Sequence, residues 1–82
     1  MQTKEEILAG VVETLAGTFA LDRSKLTPQA DLYKDLDIDS IDAIDLLVKL
    51  QQKTGKRLHP ESFKSVRTIQ DVVDVVHQLA QS

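Results

Sequence analysis

Residues 35–50 read DLDIDSIDAIDLLVKL, a run in which acids alternate with aliphatics and then, from Asp39-Ser40 onward, the pattern becomes helical. Ala43, Leu46, Leu47 and Leu50 recur at three- and four-residue steps and form one apolar row, which Ile41, Ile44 and Val48 widen. Asp42, Asp45, Lys49 and Lys53 make a narrow polar stripe, in which Asp45 and Lys49 are spaced as an acid-before-base pair worth ~0.2–0.5 kcal/mol. The spacing predicts a helix from Asp39-Ser40 to about Lys53, stopped at Gly55 by a left-handed cap. Upstream, Leu36 and Ile38 anchor the alternating run so that Asp39 arrives as the N-cap. A calcium loop starting at Asp35 would need glycine at Ser40 and glutamate at Leu46, so that reading fails.

Working outward, Leu8, Val11, Val12, Leu15 and Phe19 predict a helix over about 3–20 that opens with the capping box Thr3-x-x-Glu6. From Leu21 to Asp39 the periodicity lapses, and Asp22, Ser24, Thr27-Pro28 and Asp31 supply turn chemistry. Leu26, Leu32, Tyr33, Leu36 and Ile38 are too apolar for a free linker, so this connection is expected to lie over the helices and bury its own side chains. Pro60 suits a first helical position, and HPESFKSV is expected to contain one short turn of helix that tucks Phe63 and Val66 inward. The last segment, about 68–80, places Ile69, Val72, Val73, Val76 and Leu79 on one side behind a second capping pattern, Thr68-x-x-Asp71.

The chain has 82 residues, 41% apolar and 28% charged, which is enough for one small core and for no second domain. A chain of this size buries about 60–65% of its unfolded surface, leaving little room for a deep substrate cavity. The lack of cysteine excludes disulfides, thiolate zinc sites and cysteine nucleophiles. Thirteen acids against ten bases give a net charge of −3, which argues against a nucleic-acid binder. Neither a leader pattern nor a membrane-spanning run is visible, so a cytoplasmic protein without membrane insertion is expected. His59 and His77 have no nucleophile or orienting carboxylate at a persuasive distance in sequence, and two histidines are too sparse for zinc.

The chemistry concentrates on Ser40. As the first helical residue after the Asp39 cap, its hydroxyl lies beside backbone N–H groups that lack helical partners. Such a terminus favours an attached phosphate or phosphodiester by roughly 0.3–1 kcal/mol. Taken alone, Asp-Ser reads as a plain helix opening with a capping serine, since such pairs open many helices. The longer segment DLDIDSIDAIDLLVKL closely resembles the modification segment of acyl carrier proteins, and a last helix introduced by Thr68-Ile69-x-Asp71 resembles theirs as well.

The resemblance implies an all-α fold, a four-helix bundle of acyl-carrier-protein type with a long first loop and a short third helix, as one carrier domain over residues 1–82. It implies a covalent 4′-phosphopantetheine arm on Ser40 whose thiol holds acyl groups as thioesters. The arm would be loaded by a phosphopantetheinyl transferase and served by a ketosynthase and other acyl-processing enzymes of fatty-acid or polyketide assembly. Such a protein is no enzyme itself. By the same resemblance Asp39, Ile41, Asp42, Asp45 and Val48 face partners, while Ala43, Leu46, Leu47, Leu50, Leu58, Phe63 and Val66 line the interior that an acyl chain can enter. Phe63 and Leu47 look bulky enough to limit that entry. The alternative is an all-helical interaction module in which Ser40 is only a cap. Each helix shows one broad apolar face that a single bundle can cover, so a monomer is expected.

One departure from the strongly acidic family type is evident. Residues 31–45 carry a net −5, whereas residues 49–67, with Lys49, Lys53, Lys56, Arg57, Lys64 and Arg67 against Glu61, carry +5. A two-ended molecule is expected, its partners basic toward Ser40 and less basic, or acidic, toward the distal end of the second helix.

Overall fold

In a computed structural model of the chain, residues 3–55 and 57–80 are described. Three α-helices, α1 (Lys4–Phe19), α2 (Ser40–Thr54) and α3 (Ile69–Ala80), alternate with two 3-10 turns, Arg23–Lys25 and Pro60–Phe63. The described residues contain no strand, only an isolated antiparallel bridge between Asp31 and Thr68. The architecture is all-helical.

Each α-helix begins on a side chain that answers its unpaired N–H groups. Thr3 and Glu6 form a reciprocal capping box on α1, with Glu6 N–H donating to Thr3 Oγ1 at 3.2 Å and Thr3 N–H to Glu6 Oε1 at 2.9 Å. Thr68 and Asp71 do the same for α3, both bonds at 3.1 Å. On α2 the cap is Asp39, and the stop is Gly55 at φ +71°.

The buried face of α1 differs from the expected stripe. Ile7, Val11, Thr14 and Leu15 are buried, whereas Leu8, Val12 and Phe19 are half-buried. The helix is rotated toward Ile7 and Thr14 because the Thr14 hydroxyl can be taken inward at little cost: it donates to the Gly10 carbonyl at 2.8 Å.

The expected short third helix is a single 3-10 turn, so the described chain has three α-helices and not four. Pro60 sets the first position, but His59 supplies no side-chain cap to start a longer helix. In a three-residue repeat, side chains at i and i+3 lie over one another, and the buried Phe63 and Val66 follow that spacing.

The connection from α1 to α2, residues 20–39, is bonded to the start of α3. Leu32 N–H donates to the Arg67 carbonyl at 2.7 Å, Ile69 N–H to Ala30 at 3.1 Å and Gln70 N–H to Pro28 at 2.9 Å. These bonds let Leu26, Ala30, Leu32, Leu36 and Ile38 enter the core without stranding backbone groups. Tyr33, expected to be covered, is 37% exposed. The turn it occupies is organised by Asp31, whose Oδ1 accepts from Tyr33 N–H at 2.8 Å and Lys34 N–H at 2.9 Å, which directs the following side chains outward. Beyond Gly55, Leu58 N–H donates to Gln51 Oε1 at 2.9 Å and pins the next segment back on α2.

Two expectations follow. Ala20 closes α1 at φ 55°, a left-handed conformation that favours glycine, and it is exposed. Ala20→Gly should raise the unfolding free energy by about 0.5–1 kcal/mol, the relief of left-handed strain exceeding the entropic cost of glycine, as read from urea denaturation. The Lys34 and Tyr33 N–H groups hold the Asp31 carboxyl below its ordinary value of 3.8. A depressed folded pKa contributes stability that is present above the unfolded value and lost as pH falls through the folded one. Asp31→Asn should therefore be less stable than wild type at neutral pH, and the gap should close as pH drops below 3.8; a gap independent of pH would contradict this.

Candidate functional site

The site is built on the tip of α2. The left-handed backbone of Asp37, at φ 58°, sits between buried Leu36 and Ile38, and this kinked anchor sets where α2 begins. Asp39 then turns the chain into the helix: its Oδ1 accepts from Asp42 N–H at 2.8 Å and its carbonyl from Ala43 N–H at 3.0 Å. Those two bonds satisfy the third and fourth donors of the helix. The first two, on Ser40 and Ile41, find no acceptor among the described residues.

Two open donors are not unusual in this molecule. The first turn of α1 leaves Lys4 and Glu5 in the same condition, whereas at α3 the loop carbonyls of Ala30 and Pro28 have taken the equivalent N–H groups. What singles out α2 is the hydroxyl at its first position. Ser40 is exposed, and it carries that hydroxyl on the first of two residues whose N–H groups have no acceptor among the described residues.

A phosphodiester on that oxygen fits the surroundings. The helix dipole and the free N–H groups favour its charge by roughly 0.3–1 kcal/mol. The carboxylates of Asp39 and Asp42 oppose it, so the tip does not by itself draw an anion in from solution; a covalent bond would have to hold it there. The depression beside the hydroxyl is shallow and lined by Ser40, Ile41, Asp42, Ile44 and Asp45, all from one helix, and leaves a tether free to swing.

The structure separates the two groups of residues picked out on α2. Ala43, Leu46, Leu47 and Leu50 are buried, and Leu58, Phe63 and Val66 join them in one core cluster. Asp39, Ile41, Asp45 and Val48 are exposed, and Asp42 is half-buried. Ile41, Ile44 and Val48 do not widen the core row as expected: they are 77%, 48% and 40% exposed and form a second apolar row at i, i+3 and i+7. Ile44 was therefore missed as a surface residue. The 41–44–48 spacing contained the signal, but a helix with two apolar rows looks, in sequence, like one with a single wide face.

Charge pairing also differs from expectation. Among the described residues the closed ion pair is Lys4–Asp74 at 3.1 Å, between α1 and α3; Asp45 and Lys49 form none. Both sit on an exposed helix face, where ordering two side chains costs about as much as the contact gains. No group of three or more His, Cys, Asp or Glu residues that could hold a metal occurs among the described residues, and no helix there is long and apolar enough to cross a membrane. Lys56, counted in the basic half, lies outside the described residues.

Comparison with known proteins agrees with this geometry. The family model described as the phosphopantetheine attachment site matches residues 9–76, a span that includes the tip of α2 and the core beneath it. The chain is 49% identical over 77 residues to acyl carrier protein 2 of Ralstonia nicotianae, covering 94% of this chain and 95% of that one. It is 38% identical over 76 residues to the acyl carrier protein of Myxococcus xanthus, covering 93% and 96%. With the meromycolate extension acyl carrier protein of Mycobacterium leprae the identity is 33% over 79 residues, 96% of this chain and 69% of the relative. With a matched attachment domain and relatives aligned over nearly its whole length, the chain belongs to the acyl carrier protein family, whose prosthetic group is phosphopantetheine.

Proposed function

We propose that this chain is a discrete carrier that holds acyl intermediates as thioesters on a 4′-phosphopantetheine arm at Ser40 and presents them to separate enzymes of fatty-acid or polyketide assembly. The observation that carries the reading is the exposed Ser40 hydroxyl at the first position of α2, inside the matched family region. The arm supplies a terminal thiol and reach. Asp39 holds the helix tip rigid, the Ser40 and Ile41 N–H groups offer donors to phosphodiester oxygens, and the hydroxyl of Ser40 is the atom a phosphopantetheinyl transferase would modify.

The remaining residues have supporting roles in this reading. Asp39, Ile41, Asp42, Asp45 and Val48, joined by Ile44, form the face offered to the transferase, to a ketosynthase and to other acyl-processing enzymes, with apolar anchors flanked by carboxylates. Ala43, Leu46, Leu47, Leu50, Leu58, Phe63 and Val66 are the interior that an acyl chain would enter. Phe63 and Leu47, both packed in that core, narrow the path and favour short or transient occupancy. The Pro60–Phe63 turn takes the place of the short third helix in a four-helix carrier plan, with residues 20–39 as its long first loop. In this reading residues 1–82 form one cytoplasmic, monomeric carrier domain that catalyses nothing; the bond chemistry belongs to its partners.

Two experiments test the reading. Co-expression with a phosphopantetheinyl transferase should add the mass of phosphopantetheine to the wild-type protein and none to Ser40→Ala. A phosphate-sized increment, or no increment with transferases of several specificities, would instead favour an interaction module with a capping serine. Ile44→Ala should lose less than about 1 kcal/mol of stability, against the ~2–5 kcal/mol typical of a core isoleucine, while weakening turnover by a ketosynthase that accepts the loaded wild type. A core-sized stability loss would return Ile44 to the interior.

A further inference from the structure

On α2 the residues Asp42, Asp45, Lys49, Gln52 and Lys53 follow one another at short helical steps, so one stripe runs from acid near Ser40 to base near the C-terminal end. Along the axis Lys49 lies about 6 Å from Asp45, the nearest acid of the stripe, whereas Lys53 lies about 12 Å from it, beyond the ~8 Å screening length at physiological salt. The basic end, Lys53 foremost, therefore acts on a partner apart from the acidic tip.

The basic end does not stop at α2. Lys49, Gln52 and Lys53 form one wall of an open cleft of about 810 Å³ whose other side is the last turns of α1, and Arg23, from the 3-10 turn after α1, completes it. Glu13 is the acid in its lining. Among the described residues none of Arg23, Lys49 and Lys53 forms an ion pair, and all three are exposed. Lys53 is also partly fixed: its Cδ and Cε lie about 3.7 Å from where a side chain on Gly10 would begin, so its stem lies across α1.

We propose that this cleft is a second docking surface, taking an acidic segment of the cognate acyl-processing enzyme, while the acidic tip of α2 meets a basic patch on the same enzyme. The proposal rests on the carrier reading and deepens it by assigning the partner a two-signed footprint. Three cations without an ion pair among the described residues, set around an open cleft, favour a negatively charged protein surface, and the cleft is too open to enclose a small molecule. An enzyme whose basic patch extended the length of α2 would meet like charge at Lys49 and Lys53, so the same residues discriminate against partners of uniformly acidic carriers.

The test uses the full chain loaded at Ser40 and a ketosynthase selected because it turns over the acyl-loaded wild-type carrier. Lys49→Glu/Lys53→Glu should raise KM for the carrier about ten-fold or more with kcat little changed, and the effect should shrink at high salt. Lys53→Met, which keeps the stem over Gly10 and removes only the charge, and Arg23→Gln should each raise KM by a smaller factor while leaving the unfolding midpoint in place. Loading by the transferase, read by intact mass, should be unchanged in every variant. Normal loading with unchanged or lowered KM overturns the docking surface alone. Failure of the wild type to load overturns the carrier reading beneath it. Concentration-dependent self-association abolished by Lys49→Glu/Lys53→Glu, with KM unaffected, would assign the cleft to a second copy of this chain and also overturn the proposal.

Discussion

A twenty-residue connection can carry five buried aliphatic side chains only if its backbone finds partners, and residues 28–32 find theirs at the entry to α3. The Leu32–Arg67, Ile69–Ala30 and Gln70–Pro28 hydrogen bonds satisfy the loop and, at the same time, the first two donors of α3. The tip of α2 depends on this arrangement. With the loop held, Leu36 and Ile38 anchor in the core and Asp39 arrives where its carboxylate can cap; without it, the position of Ser40 would be set by a flexible tether.

α2 satisfies two demands that compete for the same side chains. Its leucines join the core against α1 and the Pro60–Phe63 turn, and an apolar row of Ile41, Ile44 and Val48 remains exposed. Exposed aliphatics in a row contribute little to folding and raise the risk of nonspecific association, so their presence beside carboxylates fits a surface kept for partners. The helix is stable despite this because its cap, its left-handed stop at Gly55 and the Gln51 bond to Leu58 secure both ends.

Electrostatics divide the molecule in a way that its net charge of −3 conceals. The acids gather on the loop and the first half of α2, and several have structural duties: Asp31 organises the loop, Asp35 accepts from the Asp31 N–H and Asp39 caps α2. The bases on the second half of α2 have no such partners within the described residues. Charges that neither cap nor pair act mainly at a distance, where they influence which proteins approach and in what orientation.

Local spacing in the sequence was sufficient for the existence and type of the three α-helices, for Thr3, Asp39 and Thr68 as their caps, for Gly55 as a stop and for Ser40 at a first helical position, because each depends on residues within one or two turns. It was also sufficient to foresee that the leucines of the 20–39 connection turn inward. Tertiary structure alone decided which way each helix is rolled. It buried Thr14 and left Leu8 half-covered, and it sent Ile44 to solvent with Ile41 and Val48. It made the short turn expected in HPESFKSV a 3-10 one, and it brought Arg23 to the same cleft as Lys49 and Lys53, at least twenty-six residues further along the chain. The periodicity of a helix defines faces only relative to one another; which face meets the core depends on contacts between distant segments.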